Sequence, residues 1–257
     1  MPSPTPPFAS HATARWLAAA LLGAAPFAVA AQSYCASDGQ PRPGGIVDRF
    51  ISADCEACWA SAGAKPAAGA LVLDWIVPSA QGDDAPLSAA ANRDGLARLA
   101  SLGQQPPGSS ATAERYTPIT PVRRAGGQAR LRVAHGLPLN GYVGASVELK
   151  PVPPRAGAAP WTAWLVLVET IAAGSDGTPV ARNLVRNALV QDWDPATAAP
   201  AFETPAGTRP EPRLFESRPM GIPEGAKPER LRVLGWVQDA QGRVFAAAQS
   251  RCIAPKE

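Results

Sequence analysis

The sequence predicts an α/β domain over residues 32–125 followed by a β-rich, sandwich-like portion over 126–257, and three observations carry that expectation. Two apolar runs of strand length, Ile46–Ile51 and Ala70–Val77, flank a short segment that begins like a helix. A second helical period follows, with Leu96, Leu99 and Leu102 at spacing three. Beyond the middle of the chain, two-residue alternation replaces the helical period and glycine and proline punctuate the runs.

Residues 1–31 read as a secretory signal. Arg15 is their one Lys or Arg, an apolar run extends from Trp16 to Phe27, and Ala28-Val29-Ala30-Ala31 offers cleavage after Ala30 or Ala31. Ser33-Tyr34 lacks the small aliphatic residues expected before a lipidated Cys35, so no lipid anchor is expected. Later hydrophobic runs are cut by charges or prolines, so no membrane span is expected once the signal is removed. With 29 prolines and abundant alanine, the composition fits a GC-rich bacterial coding sequence, and the expected location is periplasmic or secreted.

The N-terminal elements follow from local patterns. Ile46, Val47, Phe50 and Ile51 predict a strand, and Ser52-Ala53-Asp54 supplies capping oxygens just before Cys55. Pro66 and Gly69 end the helix that follows, and Ala70–Val77 is nearly continuous in apolar residues, as in a parallel strand buried on both faces. A β-α-β unit results, with the cysteines at its first turn. A second helix is expected from Pro86 to Leu102, weakened by Gly95, and Gln104–Ala113 reads as a loop.

In the second half, Leu131/Val133, the alternation Val143/Ala145/Val147/Leu149 and the run Trp161–Ile171 predict strands. Ala181–Trp193 fits a strand or a helix, because Leu184, Val185, Ala188 and Leu189 also share a helical face. Pro195–Pro228 is a long proline-rich connection. Leu231–Gln238 and Val244–Gln249, joined by Asp239-Ala240-Gln241-Gly242, predict a terminal hairpin.

The formal net charge is +3 over 257 residues, with both signs intermixed rather than blocked, which argues against nucleic acid as a partner. No phosphate-cradling glycine motif occurs, so no nucleotide cofactor is expected. Gly144-Ala145-Ser146-Val147-Glu148 lacks the second glycine of a nucleophile elbow, which leaves His135 without a serine-hydrolase setting. The sequence sets no oligomeric state.

Four cysteines in an exported chain make disulfides the default expectation, and four allow three pairings. Cys55 and Cys58 can bridge across one helical turn, which leaves Cys35 and Cys252 as a staple between the two ends. Trp59 stands where haem attachment needs histidine after the second cysteine. Zinc needs four ligands, and beyond the pair the chain after the expected signal offers only His135 and two cysteines near its termini, so no metal is expected. Two readings of the 55/58 pair stay open. In one, Cys55 at the helix start is the attacking thiol and Cys58 the resolving thiol, with protein thiols or disulfides as partners. In the other, Glu56 disfavours the thiolate and the bridge is structural.

Ile46-Val47-Asp48-Arg49-Phe50-Ile51-Ser52-Ala53-Asp54-Cys55-Glu56-Ala57-Cys58, the strand through Asp74-Trp75, Asp84-Ala85-Pro86 and Tyr116-Thr117-Pro118 resemble, in that order, an exported thioredoxin-like family, domain of unknown function 1223 (DUF1223). Ala181–Arg186 with Trp193, Gly235–Asp239 and Arg243–Ala248 resemble that family's C-terminal β portion. The chain departs from the pattern at Trp59-Ala60 and at Asp74–Ser79. The resemblance implies a thioredoxin-like N-terminal domain whose Cys pair opens the first helix. It also implies that Pro118 is a cis proline beside that pair, shaping a partner groove. The resulting expectation is thiol–disulfide exchange through Cys55 and Cys58. The alternative is a non-enzymatic envelope module stapled by disulfides, with Trp161, Trp164, Trp193 and Trp236 either lining a binding surface or packed in the core.

Overall fold

A computed structural model describes Met1 and residues 35–124, 127–153, 160–200 and 211–252. The expected signal, Met1 apart, its cleavage site and part of the 195–228 connection lie outside the described residues. In chain order the elements are β1 (Cys35–Ala36), β2 (Gly45–Ser52), α1 (Glu56–Trp59), β3 (Ala70–Val77), α2 (Asp94–Ser101), β4 (Thr112–Pro118), β5 (Arg123–Arg124), β6 (Gly127–Gln128) and β7 (Arg130–His135). There follow β8 (Tyr142–Lys150), β9 (Trp161–Ile171), β10 (Arg182–Trp193), β11 (Ala199–Pro200), β12 (Pro212–Gly221), β13 (Leu231–Gln238), β14 (Val244–Gln249) and β15 (Arg251–Cys252).

The strands form a seven-stranded sheet, β14-β13-β9-β10-β3-β2-β4, and a six-stranded sheet, β11-β12-β8-β7-β1-β15, with β5 and β6 as a separate ribbon. The β9 sequence shows why two layers form. Trp161, Ala163, Leu165 and Leu167 enter one apolar cluster, shared with β7 and β8 of the six-stranded sheet. Trp164, Val166 and Val168 enter another, with Leu99 of α2 and Trp75 of β3. A strand buried on both faces reads as one apolar run, because successive side chains point to opposite sides. The core between the sheets therefore lies on one face of β9, and α2 covers the other.

The thioredoxin-like α/β expectation is overturned. The parallel β2/β3 pair is present, in register from Gly45↔Ala70 to Ser52↔Val77, but the chain is mostly β-sheet and α1 and α2 are only four and eight residues long. The physical reason lies in the crossover. Residues 60–69 are exposed, and Gly63 and Gly69 adopt φ of +65° and +74°, which an α-helix does not admit. So short a helix covers only Ile51, Ile76, Ile171 and Leu184, and a second, antiparallel sheet packs on β9, β13 and β14. The seven-stranded sheet draws strands from both halves of the chain.

Other expectations are resolved in the same terms. The helix expected over 86–102 is confined to Asp94–Ser101, with a 3-10 turn at Ser88–Ala90 before it. Thr112 and Ala113, expected in a loop, open β4 instead. The ambiguous 181–193 segment is strand β10, paired along its length with β9. A bulge between Val185 and Asn187 shifts its phase, which is why its apolar residues mimic a helical face. The terminal hairpin is formed by β13 and β14. Among the described residues no helix is long and apolar enough to cross a membrane.

Candidate functional site

Two disulfides are present, Cys35–Cys252 and Cys55–Cys58. The second follows directly from how β2 ends. The Ala53 N–H donates to the Val77 carbonyl at 2.9 Å, and the Cys55 N–H donates to Ser52 at 2.9 Å, so the chain turns sharply off the sheet. Ser79 Oγ donates to Asp54 Oδ1 at 2.5 Å and pins the turn to the segment after β3. Cys55 itself caps α1, its Sγ accepting the Cys58 N–H at 3.2 Å, a role the sequence assigns to Ser52–Asp54. Cys55 is 5% exposed and packs with Ile51, Ala53 and Ile76; Cys58 is half-buried at the rim of that cluster.

Behind α1 stands a buried charged hub. Arg182 of β10, 2% exposed, lies over the Trp59 ring at 4.9 Å from its centroid. Its Nη2 donates to the carbonyls of Trp59 at 2.8 Å and Ser61 at 2.5 Å, its Nε donates to Thr178 Oγ1 at 3.0 Å, and its Nη1 meets Asp74 Oδ1 at 2.9 Å. Asp74 of β3 also faces Arg49 Nη1 at 3.2 Å and accepts the Asn183 N–H at 3.2 Å. Burial pushes the Asp74 carboxyl above its ordinary value, against the pull of Arg182 and Arg49. The Trp59 Nε1–H donates to the Asp176 carbonyl at 2.8 Å, fixing the far side of the helix to the loop after β9.

Along α1 runs an open cleft of about 600 Å³, lined by Glu56, Ala57, Trp59, Leu87, Asp176 and Gly177. A neighbouring cavity of about 250 Å³ shares Trp59, Leu87 and Asp176 and adds apolar Ile76, Ile171 and Leu184 with charged Glu169, Arg186 and Lys227. The two residues between the cysteines thus face an open space with an apolar floor and charged edges. At that edge, hydrogen bonds from Arg230 (2.6 Å) and Lys227 (3.3 Å) hold the Asp176 carboxyl below its ordinary value.

No family model matches the chain, and no curated protein matches it. Among solved structures, HBP35 of Porphyromonas gingivalis aligns with 84% of this chain and 77% of its own length at 11% identity, with a TM-score of 0.45. A likeness of that size carries no argument about fold or activity.

The other sequence-predicted residues fall elsewhere. Pro118 ends β4 opposite Gly45, at the start of β2, whereas Cys55 lies beyond its end. At a strand rise of 3.3 Å per residue, β2 alone separates them by about 23 Å. The groove role implied for Pro118 is therefore not supported, and the cis X-Pro bond found among the described residues is Lys150–Pro151. Trp161, Trp164, Trp193 and Trp236 are all core residues, 0–6% exposed. Trp164 and Trp236 stack at 5.3 Å, with the Arg98 guanidinium 4.7 Å from the Trp236 ring centroid and ion-paired to Asp48 at 2.7 Å.

Sequence reasoning passed over Asp74, Arg182, Asp48 and Arg98. Two of them did carry a signal, since Asp74 interrupts an otherwise apolar strand and Asp48, with Arg49, divides the apolar residues of β2, where an unpaired charge would be prohibitive. The last cluster lies in the other sheet. Cys35 of β1 stands directly opposite Cys252 of β15 on one side and His135 of β7 on the other. His135 is 3% exposed, and its ring lies 2.9 Å from the Gly136 carbonyl through Nδ1. Burial lowers its pKa, assisted by Arg232 and opposed by the carbonyls of Gly136 and Leu231.

Proposed function

We propose that the chain is an extracytoplasmic thiol–disulfide exchange protein in which Cys58 meets the partner and Cys55 closes or opens the internal bridge. The observation that carries this reading is the asymmetry of the 55/58 disulfide: one sulfur belongs to a residue 5% exposed, the other to a half-buried residue of α1. The roles are thereby exchanged relative to those expected from the helix-start position of Cys55. A partner thiolate attacks Cys58 Sγ, the Cys55–Cys58 bond breaks, and a mixed disulfide forms at Cys58. Cys55 leaves as a thiolate that the Cys58 N–H, 3.2 Å away, is placed to receive. A second thiol of the partner then attacks the partner's own sulfur. The partner leaves as a disulfide, and two electrons and two protons remain on Cys55 and Cys58. The extracytoplasmic location rests on the signal-like N-terminus and on two disulfides, which persist in oxidising compartments.

Burial of Cys55 favours a second reading, in which both bridges are staples and the cleft beside Trp59 binds a ligand without redox chemistry. Equilibration in glutathione buffers with thiol alkylation and mass spectrometry separates the two. Exchange requires that 55/58 open in these buffers, whatever the state of 35/252. A 55/58 pair that remains oxidised in strong dithiol leaves only the staple reading. Under exchange, Cys55→Ser accumulates mixed disulfides at Cys58 and Cys58→Ser accumulates none.

A further inference from the structure

The terminal disulfide sits against a histidine that has no evident work to do. Because β1 lies between β15 and β7, Cys252, Cys35 and His135 form one row across three adjacent strands, in register. Residues directly opposite one another on neighbouring strands project from the same face. Cys35 is fully buried and Cys252 is half-buried at the edge of the sheet.

The chemistry of the ring is fixed by its partners. A carbonyl oxygen only accepts, so the 2.9 Å contact to Gly136 requires the proton on Nδ1 and leaves Nε2 with its lone pair. That Nε2 is buried, and the Leu231 carbonyl that also faces the ring makes no well-formed hydrogen bond to it. A backbone carbonyl on one ring nitrogen is the usual means of orienting the other toward a metal. One donor atom from each of His135, Cys35 and Cys252 lies within 4.8 Å of the other two.

We propose that Cys35, His135 and Cys252 are a latent metal site for Zn²⁺, latched as a disulfide and opened by reduction. With Zn–S near 2.3 Å and Zn–N near 2.1 Å, the donors of a tetrahedral site stand about 3.6–3.8 Å apart. Reaching that spacing takes opening the sulfur–sulfur bond and drawing the ring nitrogen in by about 1 Å. Two thiolates and one Zn²⁺ sum to zero charge, which suits a buried position. Three protein donors are found among the described residues, and the half-buried Cys252 leaves the fourth position to water. Zinc was not expected from the sequence because too few ligands were in view; the sheet sets His135 against the terminal pair, and water completes the four.

The balance is simple. A dithiol reductant gives two electrons and two protons to the bridge and becomes a disulfide itself; Zn²⁺ then displaces the two protons from Cys35 and Cys252. The proposal uses the other cysteine pair, so it stands or falls separately from exchange at 55/58.

The test uses the full chain carrying Cys55→Ser and Cys58→Ser, which leaves only the terminal pair, in oxidised form and after reduction with a non-chelating phosphine. Zn²⁺ is titrated with a chromophoric competitor, and Co²⁺ reports thiolate ligation through its charge-transfer absorption. The reduced chain should bind one ion and the oxidised chain none. Because loss of a mere supporting group around a metal ligand costs 10–100-fold in affinity, His135→Gln should weaken binding by at least about tenfold. Its oxidised form should melt like its parent, which shows that the loss is not misfolding. If reduction alone unfolds the chain, Zn²⁺ should restore tryptophan emission in the parent and not in His135→Gln. The proposal is overturned if the reduced chain binds no ion, if the oxidised chain binds equally, if His135→Gln binds as tightly, or if the reduced chain takes up metal without regaining its fold.

Discussion

Replacing Cys35 and Cys252 by alanine, and separately Cys55 and Cys58 by serine, should destabilise the protein by unequal amounts. The first bridge joins residues 217 apart in sequence and the second joins residues 3 apart. In the chain-entropy description, closing the long loop contributes about 5 kcal/mol and closing the short one about 2 kcal/mol at 25 °C. Cys35 is fully buried, so alanine there avoids stranding a hydroxyl. Serine at 55 can still accept the Cys58 N–H that caps α1. For a chain of this size each kcal/mol moves the melting temperature by about 2–4 °C, so the terminal pair should cost about 10–20 °C and the 55/58 pair about 4–8 °C. Calorimetry on the oxidised variants, with guanidinium titration as a second measure, reads both. If loss of the 55/58 bridge costs as much as loss of the terminal bridge, the short bridge is holding structure together. The case for a bridge free to open is then lost.

Three further outcomes are expected. Arg182→Met removes the cation that ties Asp74, Trp59 and Ser61 together; stranding a buried charge partner costs about 3–5 kcal/mol, toward the lower end here because Arg49 still faces Asp74. The variant should also be reduced faster at 55/58, as α1 loses its anchor, and unchanged stability in guanidinium would contradict the buried hub. In Gly235→Ala the new Cβ would stand 2.8 Å from Val133 Cγ1 and 3.0 Å from the Trp164 carbonyl. Overpacking of this kind costs about 1–3 kcal/mol, and an equally stable variant would show that the two sheets are not packed so closely there. Asp94 accepts the Ala188 N–H at 2.8 Å, and burial raises its pKa above the ordinary 3.8. Between 3.8 and the raised value the native chain keeps a proton that the unfolded chain has lost. Its contribution to stability therefore falls as pH rises through that window. Asp94→Asn, which keeps an acceptor and cannot titrate, should gain stability relative to the parent across the same window in pH-dependent denaturation, and a constant difference would refute this.

How much of the architecture can be read from the chain depends on how local its cause is. The continuous apolar runs at 70–77 and 161–171 report strands buried on both faces, and the hairpin at 231–249 reports its own turn, because side-chain period and turn chemistry act within a few residues. The pairing of four cysteines into Cys35–Cys252 and Cys55–Cys58 was likewise legible, from spacing and from position along the chain. The β-α-β pattern was legible too, but not how little helix it would hold, since the outcome turned on a crossover broken at Gly63 and Gly69 and on strands from the other half of the chain completing the sheet.

The site divides the same way. By itself the sequence determined that Cys55 and Cys58 stand at a turn leaving a strand, and that charges at positions 48 and 74 interrupt apolar runs. Only the tertiary structure decided that Cys55 is the buried half of its bridge, that Arg182 reaches Asp74 from 108 residues away, and that His135 lies beside the terminal disulfide rather than beside Cys55. Pro118 went the other way, near the pair by analogy and at the opposite end of β2 in space. The physical reason is that burial, ion pairing and ligand clustering are set by which strands become neighbours. Strand order is a property of the whole sheet, which no local period of the chain encodes.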